Sequence, residues 1–134
     1  MLSCGGAAAR SVRALGVSAQ GETLIAVDRE GRALAPAIVW MDNRAQAESD
    51  ELAGRLGNDR VHEATGQTGM LPMWPASKVL WLRRRRPEVF SRAHKFLLIE
   101  DWLIHRLTGR YVAEGSLLCS TTWWELRTKR YWPR

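Results

Sequence analysis

Three short apolar runs near the start of this chain restrict what it can fold into. They are Val12 to Val17, Thr23 to Val27 and Ala37 to Trp40. Each is four to six residues long, partly β-branched and closed by turn-forming residues, which predicts strands. Gln20-Gly21-Glu22 follows the first run. Asp28-Arg29-Glu30-Gly31-Arg32, after the second, has the polar, glycine-containing chemistry of a tight turn. Asp42-Asn43 follows the third and offers capping oxygens to a helix starting near Arg44. The reading is an α/β chain with Gln20, Glu22, Asp42 and Arg44 at strand ends. In open α/β sheets ligands bind at such ends. Polar residues there also serve simply as turns, and spacing alone leaves both roles open.

Helices dominate the chain after Arg44. Ala45, Leu52, Ala53 and Leu56 make a partial apolar stripe from Arg44 to Leu56, with Gly57 as a stop and Glu48, Asp50 and Glu51 as a solvated face. A second short helix spans Asp59 to Ala64 before Gly66. It carries His62, which has no second His or Cys nearby and reads as structural or solvated. Gln67 to Pro72 reads as a loop. Pro75 suits the first turn of a helix running to Arg85, with Val79, Leu80, Trp81 and Leu82 as its apolar face and Pro87 as its end. Lys95 to Ile99 reads as a strand. Asp101 would cap a helix from Trp102 to Leu107 that Gly109 terminates. Tyr111-Val112 would be a short strand. The hydroxyl-rich segment Ser116 to Thr122 has no adjacent general base, which argues against nucleophilic catalysis.

Composition narrows the function. A chain of 134 residues suits one domain. Its net charge is +6, with a pI near 10.1, and it holds seven Trp. Such a balance raises a nucleic-acid or phosphometabolite partner. Four positive charges are concentrated at Arg83 to Arg86, however, in the last turn of a helix. There they complement its dipole, and no aromatic is interleaved for stacking on bases. Cys4 and Cys119 lie far apart and lack metal-ligand spacing, so they read as reduced thiols of a cytoplasmic protein. No apolar run approaches the roughly 20 residues of a membrane span. Met1 to Arg13 is Ala-, Ser- and Arg-rich without an acid, a superficial match to a transit peptide, and Leu2-Ser3-Cys4 faintly matches a lipoprotein cleavage site but lacks the apolar segment that would precede one.

Motif order carries a resemblance. Gly16-Val17-Ser18-Ala19-Gln20-Gly21, Val27-Asp28-X-X-Gly31 and Pro36-Ala37-Ile38-Val39-Trp40-Met41-Asp42-X-Arg44 come first. Thr65-Gly66, Lys78-X-X-Trp81-Leu82, Pro87-Glu88-X-Phe90, Leu97-Leu98-X-X-Asp101-X-Leu103 and Arg106-Leu107-Thr108-Gly109 come after them. Together they resemble the FGGY carbohydrate kinases, xylulokinase-like, from about Arg13 to Trp132. The resemblance implies part of a ribonuclease-H/actin-like (ASKHA) domain, a mixed sheet with flanking helices. It implies that residues 1–134 are a fragment of the family's N-terminal domain, with Met1 near the end of a helix leading into the Val12 strand. The initial phosphate-binding strands and the segment bearing the family's catalytic Asp would lie outside it. The parent enzyme would use ATP and Mg2+ to phosphorylate a ketose or polyol. The resemblance assigns no catalytic or metal-binding residue to this chain.

By the same resemblance, the residues after the Ser-X-Gln strand end contact the sugar. Here they are Gly21 and Glu22. The family often has bulkier pairs, Met-His or Arg-Glu, so Gly21 leaves the substrate's identity open. Met73 and Trp74 align where the family sets an aromatic against the sugar, although Trp74 also suits ordinary core. Asp42 and Arg44 either shape the pocket or pair with one another. Expected partners are a sugar or polyol and the missing kinase segments, with neither membrane nor nucleic acid. The alternatives are a small basic nucleic-acid-binding module and a non-catalytic sugar-binding remnant.

Overall fold

The computed structural model describes residues 11–132. The expectation for Met1 to Arg10, a helix end leading into the first strand, lies outside them. At the centre is β1, Leu24–Val27, paired antiparallel with β2, Lys95–Leu98, in the register Leu24 to Leu98 through Val27 to Lys95. All four β1 residues are buried. Successive side chains of a strand point to opposite faces, and each face of β1 meets a different layer. Leu24 and Ala26 pack with Ile38, Leu82 and Val89, beneath Val79 and Trp81. Ile25 and Val27 pack with Leu97 against Ile99, Trp102 and Tyr111. The strand is therefore sandwiched between helices, which is why its sequence is apolar throughout rather than alternating.

The helices of one layer are α1 (Gln46–Leu56), α2 (Asn58–Thr65), α3 (Pro75–Arg85) and α4 (Pro87–Arg92). The other layer is α5, Ile99–Thr108. A short helix α6 (Gly115–Leu118), a 3-10 turn at Cys119–Thr121 and a hairpin of β3 (Trp124–Glu125) with β4 (Arg130–Tyr131) complete the described chain. Gly57 at φ 79° separates α1 from α2, and Gly66 and Gly109, both left-handed, stop α2 and α5.

Several expectations change. Val12 to Val17 forms no strand: residues 12–20 lack regular structure, and Val12 and Leu15 are exposed. A strand needs an edge to pair with. Both edges of β1 are taken, one by β2 and the other by residues 33–38. Ala37 to Trp40 is not a full strand either. Ile38 makes a two-way backbone bridge with Leu24, and Leu34 N–H donates to Ala26 C=O at 2.9 Å. Pro36 falls between these points and has no N–H, which interrupts the ladder.

Pro87 ends α3 and also starts α4, because Arg86 at φ −138°, ψ 58° breaks the path between them. Helix α5 begins at Ile99, earlier than expected, and the Asp101 carboxylate reaches back to accept from Leu98 N–H at 3.3 Å. Asp42 and Asn43 do not cap α1 with their side chains; Ala45 holds that position. Tyr111 and Val112 form no strand.

The arginine run differs too. Arg84 donates to both Glu51 carboxylate oxygens, at 2.6 and 3.0 Å, tying α3 to α1. Arg86 pairs with Glu88. Two of the four guanidiniums are thus held by acids rather than simply solvated. Glu48, expected on the solvated face, is buried within 3.9 Å of Arg84.

Candidate functional site

The approach to β1 is a tight turn. Gly21 sits at φ 88°, and its C=O accepts from Thr23 N–H at 2.8 Å. A Cβ on Gly21 would meet Leu117 Cδ2 at 3.7 Å, an ordinary contact. The backbone angle, not crowding, therefore favours glycine here. Gln20 Nε2 donates to Thr23 Oγ1 at 2.7 Å, fixing that amide against the turn. Glu22 comes next, half-buried.

Asp42 and Arg44 form a closed unit. Arg44 N–H donates to Asp42 Oδ1 at 2.9 Å, while its guanidinium donates to Oδ2 at 2.9 and 2.6 Å. These bonds hold the Asp42 carboxyl below the usual carboxylate range and raise Arg44. The guanidinium lies 5.0 Å from the centre of the Trp81 ring, a cation–π contact that fixes its plane.

What connects these parts is Lys78, which sequence reasoning used only as a motif position. Lys78 is 0% exposed. Its ammonium donates to Val39 C=O at 2.8 Å and to Trp40 C=O at 3.4 Å. Burial pushes it down to about 8, opposed by the negative charges of Asp42 and Glu22 and assisted by Arg44. Glu22 and the Asp42–Arg44 pair, from separate parts of the chain, therefore act electrostatically on one buried cation. The signal was present in the sequence. Pro75, Lys78 and Leu82 recur at helical spacing and all three are buried, so Lys78 occupies the apolar face of α3.

Met73 and Trp74 lie one turn before Lys78, on the entry to α3. Met73 is half-buried. Trp74 is 8% exposed and its indole N–H donates to Gly69 C=O at 2.9 Å, so its polar handle is directed at the protein. That geometry supports the packing role for Trp74. A second residue missed from sequence is Glu100. It is buried beside Asp101 at the start of α5, and neither of its carboxylate oxygens has a partner among the described residues.

A cavity of about 590 Å³ lies elsewhere, along β2 between Tyr111 and Trp123, and none of the seven candidate residues lines it. No group of three or more His, Cys, Asp or Glu gathers to hold a metal ion among the described residues. Nor do they fit nucleotide phosphates. The strand-to-helix junction at Leu98–Ile99 carries Glu100 and Asp101, whose charges oppose a phosphate rather than cradle it. No helix of the described residues is long and apolar enough to cross a membrane.

Comparison with known proteins places this arrangement. The chain is 37% identical over 123 residues to the xylulose kinase of Escherichia coli, covering 92% of this chain and 25% of that protein. It is 33% identical over 99 residues to the gluconokinase of Bacillus subtilis, covering 74% of this chain and 19% of that protein. The crystal structure of gluconate kinase from Lactobacillus acidophilus superposes with a TM-score of 0.76 at 32% identity, over 84% of this chain and 23% of that one. The ligand-bound xylulose kinase from the same organism gives 0.74 at 31% identity, with the same coverage. The architecture is that of the actin-like sugar kinases, and the chain spans about a quarter of the length of these relatives. Residues 3–134 match the N-terminal domain of the FGGY family of carbohydrate kinases, and the chain belongs to that family.

Proposed function

We propose that this chain supplies the sugar-binding wall of an ATP-dependent kinase that phosphorylates a hydroxyl of a ketose or polyol. Residues 1–134 would be a fragment of the N-terminal domain, working with kinase segments outside it in the cytoplasm. One observation carries the reading: the ammonium of Lys78, buried against the Val39 and Trp40 carbonyls, lies within electrostatic reach of Glu22, Asp42 and Arg44. In this reading Glu22, half-buried and next to the Gly21 turn, accepts hydrogen bonds from sugar hydroxyls. Asp42 and Arg44 hold each other's geometry and shape the wall. Lys78 pins the Val39–Trp40 backbone beneath them. Gln20 fixes the turn, and Met73 offers apolar surface beside the buried Trp74.

Phosphoryl transfer also needs a metal-bound nucleotide and a proton acceptor near the hydroxyl. ATP and Mg2+ would supply the phosphoryl group and its charge neutralisation in the complete enzyme; the residues of this chain orient the acceptor. The family alone supports ATP use, and xylulose and gluconate are named by relatives of this chain.

The nucleic-acid reading is weaker on the same geometry. Arg84 and Arg86 are engaged by Glu51 and Glu88. Trp74, Trp81, Trp102 and Trp123 contribute to packing or to internal hydrogen bonds rather than forming a stacking platform.

Glu22→Ala in the complete kinase tests the proposal. Loss of a hydrogen bond to a charged group lowers catalytic efficiency for the sugar by about 1.5–3 kcal/mol. Unchanged efficiency on xylulose, ribulose, glycerol, erythritol and gluconate removes Glu22 from the site. Sugar binding without phosphorylation would identify a non-catalytic remnant.

A further inference from the structure

Helix α3 carries two polar residues side by side, Ser77 and Lys78, and both are 0% exposed. Each directs its side chain to the backbone of a different loop. The Ser77 hydroxyl donates to Leu71 C=O at 3.1 Å, and the Lys78 ammonium donates to Val39 C=O at 2.8 Å. The two carbonyls have the same local role. Leu71 C=O also accepts from Trp74 N–H at 3.1 Å, and Val39 C=O from Asp42 N–H at 3.1 Å. A bond from residue i to residue i+3 closes a β-turn. One turn is 71–74, with Pro72 and Met73 at its centre. The other is 39–42, with Trp40 and Met41 at its centre. Pro72 stands where its fixed φ suits a turn.

A carbonyl oxygen has two lone pairs, and in each turn the i+3 N–H takes one. In both cases α3 supplies the second donor. Ser77 had a nearer choice, because a helical serine hydroxyl commonly bonds the carbonyl four residues back. It reaches six residues back instead, to the head of the turn. Neighbouring positions on one helix have a fixed offset. The turn at 39–42, which ends on Asp42, is therefore held at a set distance from the turn at 71–74, which carries Met73. Trp74 is tied separately, through its indole N–H to Gly69 C=O.

We propose that Ser77 is a positioning residue for sugar binding. Together with Lys78 it aligns the Met73 turn against the Asp42 turn, so that the two line one wall. This rests on the sugar-kinase reading of the site. Ser77 is fully buried and acts through Met73 rather than on the sugar. Removing its hydroxyl leaves Leu71 C=O its bond from Trp74 N–H, so the turn persists but is no longer fastened to α3.

The test uses the complete kinase with Ser77→Ala, Lys78→Met, the double variant and Glu22→Ala, measuring kcat and KM for sugar and for ATP. Ser77→Ala should raise the sugar KM about three- to tenfold, the size of one hydrogen bond, and leave the ATP KM within about twofold. Because both residues serve one alignment, the double variant should raise the sugar KM by less than the product of the single effects. A sugar KM equal to that product would show two independent fastenings and overturn the proposal. So would a lower melting temperature in Ser77→Ala with an unchanged sugar KM, or sugar and ATP KM values that rise together. If Ser77→Ala leaves the sugar KM unchanged while Glu22→Ala loses sugar use, the site reading stands without this proposal. Unchanged kinetics in both variants overturn both. If Ser77→Ala does not fold, the methyl resonance of Met73 decides, assigned with Met73→Leu and followed in the parent kinase without nucleotide. Saturating sugar should shift it, and an unmoved resonance would overturn the assignment.

Discussion

Lys78 shows how one side chain can organise residues from three places in the chain. An ammonium at 0% exposure is costly. It is retained because two backbone carbonyls and the charges of Asp42 and Glu22 face it. Burial still penalises the charged form on balance, and the group is pushed down from 10.5 to about 8. The linkage has a definite sign. Below pH 8 the lysine is protonated in both folded and unfolded states, so the full cost is present. Between pH 8 and 10.5 the unfolded state binds more protons than the folded one, and stability rises with pH. At about 1.4 kcal/mol per unit, the rise is on the order of 3 kcal/mol. Lys78→Met should flatten that rise, as measured by denaturant unfolding across this interval. An equally steep rise in Lys78→Met would assign it to other groups. The same variant removes the lysine donor from the Val39 and Trp40 carbonyls, leaving Val39 only the Asp42 N–H, so it should also raise the sugar KM of the complete kinase.

Among the elements, the turn from Asp28 to Arg32 controls how α5 seats on the sheet. Asp28 accepts from the N–H groups of Glu30 and Arg32 and from the Arg32 guanidinium, closing the turn. Gly31 sits at φ 74°, and a Cβ there would fall 2.2 Å from His105 Nε2. The His105 ring cannot readily retreat, because it is stacked on Tyr111 at 4.0 Å between ring centres. Gly31 C=O also accepts from Trp102 Nε1 at 3.2 Å. Gly31→Ala therefore combines a left-handed backbone penalty with a clash into a packed ring. It should destabilise the fold by about 1–3 kcal/mol, read by chemical denaturation. An unchanged midpoint would mean that α5 does not bear on the turn. The glycine was legible in the sequence as a turn former. That α5, from far along the chain, presses against it was not.

For the whole molecule, β2 has a partner on one side only among the described residues, and an unpaired edge is a template for association. Val12, Leu15, Met41 and Leu107 add exposed apolar surface. If residues 1–134 are a fragment, as proposed, they should associate or stay partly ordered when alone and should not transfer phosphate. Purified protein, assayed for ADP formation with the five sugars, should match the no-enzyme control. Sugar-dependent ADP release from a monomer with a sharp thermal transition would overturn both halves of that expectation.

Local chemistry determined a good deal of this protein without any coordinates. The β1 strand, the Asp28–Arg32 turn, α1 to α3, β2 and the glycine that stops α5 arise from periodicity and from the conformational limits of Gly and Pro, which act within a few residues. The order of motifs also carried the family. Tertiary structure decided the rest. Val12 to Val17 had the composition of a strand, but both edges of its neighbour β1 are taken by β2 and residues 33–38. Lys78 and Glu100 read as a helix lysine and a helix-end acid until folding buried them, one against the carbonyls of residues 39 and 40 and the other beside Asp101 at the start of α5. Burial and cross-strand register depend on which distant segments meet. The energetic role of a charged group is set by that meeting rather than by its neighbours in sequence.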